Sequence, residues 1–390
     1  MGAAQEEGIW FRRSRRQQLE LFLMCENRPS TAPDFLLSRA TGSVRTQGAV
    51  ATFTDVDAAV SALRSGTAPM VVGALPFHKG DPAALTVPRS IIREDGPLEP
   101  HAYYRSGMLN ARVTGFDPEP EEHLRRIEAA IATIEASKLD KVVLARAVDI
   151  EFNAPVDPLL VAARLIDLSS HRDGFIADLT PAGRPGAMFV GSSPEVLVKK
   201  QGSTVTAFPL AGSAPRQADK ARDIKAGQDL HNSAKDLREH AFVVDHIRRI
   251  LQPLCETLDA PTSPQLTSTN EMWHLGTPIA GTLKDSGITA LELAELVYPT
   301  PAICGTPTEA AQALIETAET DRGFYAGAVG WCDDSGDGEY MVAIRCAEVA
   351  GDGLSARAWA GGGIVVDSDP AAELQETTAK LRTILRALNL

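Results

Sequence analysis

No apolar run in this sequence approaches the roughly 18 residues of a membrane-spanning helix, so nothing in it reads as a helical anchor. Cysteine is scarce: Cys25, Cys255, Cys304, Cys332 and Cys346 are odd in number, widely scattered and without CxxC spacing. That pattern excludes a disulfide framework and a structural zinc site, and it points to a reducing cytoplasm. Basic residues fall short of acidic ones, 38 against 51, for a net charge of −13. A nucleic acid or an anionic membrane is therefore not the expected partner, although a local basic pocket can still hold a small anion. There is no internal repeat, no low-complexity tract, no HExxH, no EF-hand loop and no Walker A loop.

The remaining composition, 44% hydrophobic and 23% charged, is that of a folded chain rather than a disordered one. The start, FRRSRRQQLELFLMC, superficially resembles a signal peptide. Its apolar stretch is short, is interrupted by Glu20, and lacks a small-residue cleavage site. Residues 1–40 are expected to be an N-terminal extension, poorly ordered over 1–23, with Met24 an alternative start. Residues 41–390 are expected to form one unit, with an N-terminal part over 41–119 and a motif-bearing part over 120–390.

Extended segments are expected at 41–53 and 69–77, with a helix at 55–66 and a Pro/Gly-rich connecting region over 78–119. A helix at 121–137 leads into a strand at 141–150, then a helix at 157–169 and short strands in GFIADLT, GAMFVGS and EVLVKK. A long helical pattern covers 216–251. Strands follow in GTPIAGTL, FYAGAVGWC, YMVAIRCAEV and SARAWAGGGIVV, and a helix closes the chain at 370–388. Short Gly/Asp turns between strands, as in WCDDSGDGEYMVAIR, predict antiparallel pairing. The fold class is α+β, not the regular alternation of a doubly wound sheet.

Few residues invite a chemical reading. Glu373, Glu376 and Lys380 share one face of the last helix, and Asp236 and Glu239 have the same i, i+3 relation. The plain reading is a solvated, ion-paired surface; the sharper one is two helices aiming carboxylates at a hard cation such as Mg²⁺. Lys141 opens a strand whose alternate residues Val143, Ala145 and Ala147 are small or apolar. A strand-end lysine is commonly a solubility device, but desolvation would lower its pKa and make it a base. Glu195 follows a Ser-Ser-Pro turn. The run AGGGIVV is either a bulge or bare backbone N–H offered to a carboxylate.

In combination the motifs are more specific. DKVVLAR, VGSSPEVL, PLAGSAPR, KDLREHAFVVD, WHLGTPIAG, YPTPAICGTP, GFYAGAVGWCD, MVAIRCAEV and AGGGIVVDSDPAAELQETTAK occur in the order and spacing of the chorismate-utilising enzymes. The chain resembles their isochorismate synthases of the siderophore type, over roughly residues 120–390 and more weakly over 45–100. The resemblance implies an α+β chorismate-binding fold like that of anthranilate and aminodeoxychorismate synthases, with large antiparallel sheets surrounded by helices. It implies Mg²⁺ held directly by Glu239 and Glu376, and through water by Asp236 and Glu373. It implies that Arg345, Tyr325, Lys380 and the amides of Gly361 and Gly363 hold the substrate carboxylates. Gly212, Ser213, His274, Ala302 and Ile303 would surround the ring.

The implied reaction converts chorismate to isochorismate, for siderophore or menaquinone biosynthesis. Neutral Lys141 would take a proton from water attacking C2, and protonated Glu195 would donate to the departing C4 hydroxyl. Ammonia-using relatives usually lack the lysine and carry Thr or Lys where this chain has Ala211, so water is the expected nucleophile and no glutamine amidotransferase subunit is expected. A monomer is expected. Two alternatives remain: a salicylate synthase, which goes on to eliminate pyruvate, and a non-catalytic homologue. Ala302 and Ile303 argue against the first, because a bulky apolar Ile303 restricts the pose that elimination needs. The second should have lost one of Lys141, Glu195, Glu239 or Glu376, and all four are present.

Overall fold

Six helices start in the same way. Asp55, Asp157, Asp219, Ser233, Thr289 and Asp369 each accept a hydrogen bond from a backbone N–H two or three residues on, which satisfies a donor the first turn leaves unpaired. The computed structural model describes residues 31–107 and 109–390. The expectations for residues 1–23, and for Met24 as a start, lie outside the described residues.

Among the described residues, seventeen strands join in one hydrogen-bonded network and three form a small separate sheet. The recorded ladders are antiparallel, as the short turns predicted. Strand Lys141–Phe152 is central: Ala111–Asp117 pairs along one edge and Ser355–Ile364 along the other. It is buried on both faces through Val148, so small and apolar residues occupy both. The small sheet pairs Leu210–Pro215 with Met272–Gly276, and the latter with Gln265–Ser268.

Two apolar cores result. The larger gathers residues such as Met70, Leu75, Ile127, Val198, Ile247 and Val329. The second lies beneath helices Pro158–Leu168 and Pro370–Ala387, where Leu165, Ile166, Val190, Leu381 and Ile384 meet. Each such fully buried aliphatic stabilises the fold by roughly 1.5–3 kcal/mol. No described helix is long and apolar enough to cross a membrane. Cys255, Cys304, Cys332 and Cys346 are free and buried.

The architecture is α+β as expected, but several boundaries move. The unit does not begin at residue 41: strand Phe35–Arg39 pairs with both Gly42–Phe53 and Gly174–Asp178, and Phe35, Leu36 and Leu37 are buried. The expected connecting region 78–119 contains strands Ala84–Glu94 and Ala111–Asp117 and helix Ala102–Ser106. Pro88 disguised the first of these strands. It sits opposite Ala49, where the partner strand bulges, a place that tolerates a missing N–H. The helical pattern over 216–251 is two helices, Lys220–Asn232 and Ala234–Leu251, with Ser233 ending one and capping the next. The segments FYAGAVGWC and YMVAIRCAEV are interrupted at Ala326 (φ +63°) and Arg345 (φ +53°).

Candidate active site

Strand Ser355–Ile364 and strand Lys141–Phe152 run side by side with Gly363 opposite Val143 and Gly361 opposite Ala145. Trp359, Gly361 and Gly363 alternate onto one face and form a wall of a cleft of about 660 Å³. Helix Pro370–Ala387 brings Glu376 and Lys380 to it, helix Ala234–Leu251 brings Glu239, and the small sheet brings Gly212, Ser213 and His274. Glu195, Ala302, Ile303, Tyr325 and Arg345 complete the lining among the residues expected there. Positions far apart in sequence thus converge on one cleft.

Three expected residues stand behind this lining. Lys141 is fully buried, with Nζ 2.8 Å from Glu239 Oε1. Asp236 is half-buried, and its Cβ packs where a Cβ on Gly212 would stand, 3.1 Å away. Glu373 turns from the cleft toward Lys235 and Ser368: its Oε1 accepts from Lys235 Nζ at 2.6 Å and from Ser368 Oγ at 2.7 Å.

Three of these glutamates are paired with lysines. Lys141 pairs with Glu239, Lys235 with Glu373 and Lys380 with Glu376, the last at 2.6 Å. Ser213 also donates to Glu376 at 2.8 Å, and Lys380 donates to the Gly361 carbonyl at 2.9 Å. Burial works to raise the Glu376 carboxyl, but Lys380 and Ser213 hold it below its ordinary value. Burial, reinforced by the Glu376 charge, pushes Glu373 up to about 7. Burial also raises Asp236, which faces the charges of Glu239 and Glu376.

The cleft can release and accept protons near neutral pH. Burial pushes Glu195 up to about 7 against the opposing pull of a backbone donor at Leu210 and the charges of Lys141, Lys380 and Arg345. Burial, with Arg345 and Lys380 close by, holds His274 well below 6.5, so its ring is neutral and its Nε2 faces Arg345 Nη2 at 3.5 Å. Burial raises Tyr325, which keeps its hydroxyl as a donor. Arg345 and Ala326, next to Tyr325, both have positive φ. Such strain persists only where packing enforces it, and it gathers at functional sites.

Two glycines are required by clearance. A Cβ at Gly363 would overlap the Glu239 carboxylate and come within 2.9 Å of Lys141 Cε; one at Gly361 would stand 2.8 Å from the Tyr325 hydroxyl. Sequence reasoning missed Pro194, Leu210, Ile344 and Trp359 in the lining, and it missed Lys235. Trp359 was findable as the residue in step with Gly361 and Gly363. Lys235 precedes Glu239 by four positions, on the same helix face.

Among the described residues no group of three or more His, Cys, Asp or Glu side chains is clustered as a formed metal site. The donor chemistry nevertheless suits a hard cation. Glu239 and Glu376 face one cleft, and two protein carboxylates completed by substrate and water oxygens are a usual Mg²⁺ environment.

The model of the family described as "Chorismate binding enzyme" matches residues 103–389. The chain is 47% identical over 364 residues to the protein named MenF in Mycobacterium tuberculosis, covering 91% of this chain and 96% of that one. It is 43% identical over 324 residues to the isochorismate synthase DhbC of Bacillus subtilis, covering 82% and 81%. A solved structure of DhbC from Bacillus anthracis superposes with a TM-score of 0.86 at 34% identity, covering 95% of this chain and all of that one.

Proposed function

This chain belongs to the chorismate-binding enzyme family, and from that premise we propose that it isomerises chorismate to isochorismate for siderophore or menaquinone biosynthesis. Among its solved relatives, MenF of Escherichia coli is described as menaquinone-specific and DhbC of Bacillus anthracis as 2,3-dihydroxybenzoate-specific, which supports keeping both routes open. The observation that carries the reading is Glu195: a carboxyl only 3% exposed, raised to about 7, in a cleft that also holds Arg345 and Lys380. A buried acid able to stay protonated beside cations that hold an anionic substrate is what loss of the C4 hydroxyl demands.

Chorismate is a dianion. Arg345 and Tyr325 bind the enolpyruvyl carboxylate, and the Gly361 and Gly363 amides with Lys380 serve the carboxylate ends. Gly212, Ser213, His274, Ala302 and Ile303 enclose the ring. Glu239 and Glu376 would hold Mg²⁺, with Asp236 and Glu373 behind them through water. The cation supplies charge stabilisation and orientation of the ring carboxylate when bound. Neutral Lys141 takes a proton from the water that attacks C2, the ring double bonds shift, and Glu195 gives its proton to the C4 hydroxyl, which leaves as water. Lys141 can serve as base only when Glu239 is engaged elsewhere, because the two groups are paired at 2.8 Å.

Incubation with chorismate and Mg²⁺, followed by chromatography of the products, tests the reading. Isochorismate in equilibrium with chorismate is the expected result. Salicylate with stoichiometric pyruvate would assign a salicylate synthase instead, and no turnover would reject both.

A further inference from the structure

A second feature lies at the edge of strand Lys141–Phe152 that faces away from strand Ser355–Ile364, and it shares Trp359 with the catalytic cleft. A recess of about 210 Å³ opens where the edge of strand Lys141–Phe152 is unpaired near Arg146, and it is lined by Arg126, Arg146, Arg322, Asp117, Glu319 and Thr320. Its carboxylates are already committed. Glu319 takes two bonds from Arg322 and one from the Ala145 amide. Asp117 is held by Arg357 and by Thr320 Oγ1. Those two acids are therefore matched by Arg322 and Arg357.

Arg146 is left over, and Arg126 has only a carboxylate that it shares. Arg146 is 4% exposed, yet its recorded side-chain bond is to Thr378 Oγ1 at 2.8 Å, and among the described residues no carboxylate forms an ion pair with it. Its Nε is buried without a partner. The Phe116 ring, 5.9 Å from its guanidinium carbon, offers a weak cation–π contact but no counter-charge. Arg126 shares Glu122 with Arg125, at 3.3 Å through Nε, and its Nη1 is also buried without a partner. Beside them His123 is 1% exposed and has an unpartnered Nδ1. Burial, with the charges of Arg146 and Arg126, holds this imidazole down at about 4, so it is neutral.

A buried guanidinium without a counter-ion is costly, and unpaired buried N–H groups add to that cost. We propose that this recess is an anion site in which Arg126 and Arg146 bind a small oxyanion, a phosphate or a carboxylate, outside the catalytic cleft. The two guanidiniums supply charge-assisted donors. Trp359 forms a wall of both this recess and the cleft, and its ring stacks on Tyr325 with centroids 5.9 Å apart.

Calorimetric titration with inorganic phosphate, and separately with acetate, tests the proposal on the full chain, with chloride at matched ionic strength as reference. A saturable one-site isotherm for either oxyanion is expected, and the one that saturates names the ligand chemistry. Its Kd should rise at least tenfold in Arg126→Gln and in Arg146→Met, and stay unchanged in Lys380→Met, whose charge lies in the cleft. Arg126 is 27% exposed, so its variant stays informative even if the Arg146 variant folds poorly. Shifts equal to those of chloride, binding that survives in Arg126→Gln, or binding lost only in Lys380→Met would each overturn it.

Discussion

Lys141 Nζ and Glu239 Oε1 are 2.8 Å apart, so the group assigned to proton abstraction and a group assigned to the cation form one ion pair. Gly363 leaves the space for that pair. Gly363→Ala should lower kcat by about 10² or more, because a 1 Å displacement of reacting groups costs on that order. Gly362→Ala, whose Cβ would find its nearest neighbours at 3.4 Å, should stay within a few-fold of wild type. Steady-state kinetics on both variants, with melting curves as the folding control, compares them. Equal kinetics for the two would remove the clearance argument.

The acid and base predict a pH dependence. Glu195 must be protonated and its value lies at about 7, so kcat/KM should fall as pH rises through about 7. Lys141→Ala and Glu195→Gln should each lose on the order of 10² to 10⁴ in kcat with little change in substrate binding. A profile flat from pH 6 to 9 would contradict the role given to Glu195.

The metal reading predicts that Glu239→Gln and Glu376→Gln abolish Mg²⁺-dependent turnover with the fold intact. Calorimetric Mg²⁺ titration gives a second readout, in which either variant should bind at least tenfold more weakly. Full activity at low Mg²⁺ would refute the ligand assignment.

Lys235 predicts a stability effect. In Lys235→Met, Glu373, 2% exposed, loses its partner, and breaking a buried pair costs about 3–5 kcal/mol. The folded-state value of Glu373 is raised, to about 7. Its contribution is therefore full below the unfolded value near 4.5 and is lost as pH rises through about 7. The variant should melt close to wild type at pH 5 and well below it at pH 8. An equal deficit at both values would show that Glu373 ionisation is not the cause.

Product identity rests on Ala302 and Ile303, both in the cleft lining. Replacing them with Thr and Ala should let pyruvate and salicylate appear, with slower isomerisation, while wild type releases no pyruvate. A coupled pyruvate assay decides between the two outcomes.

Much of this was legible from spacing alone. The helices expected at 55–66, 157–169 and 370–388, each capped by an aspartate, fell within about two residues of their bounds, because caps and periodicity are local properties. That Lys141, Glu195, Glu239, Glu376 and Arg345 share one site was implied by the family resemblance that the ordered motifs carry, not by their spacing. Strand Ala84–Glu94 was not legible, since Pro88 argues against a strand unless a bulge lies opposite it. Phe35–Arg39 looked like a tail because its apolar side chains find their partners about 140 residues away, at Gly174–Asp178.

The chain by itself determined the α+β class and which residues carry charge. Only the tertiary structure decided how those charges pair. The i, i+3 and i+7 spacing gave Glu373, Glu376 and Lys380 a common helix face, yet Glu376 faces the cleft while Glu373 turns to Lys235. The same holds for Arg146, which lies within the strand expected at 141–150 and which, among the described residues, has no carboxylate to balance it. Periodicity fixes the side of a helix or strand on which a residue lies, whereas the partner it meets there, and the burial that sets its ionisation, depend on elements brought in from elsewhere in the chain.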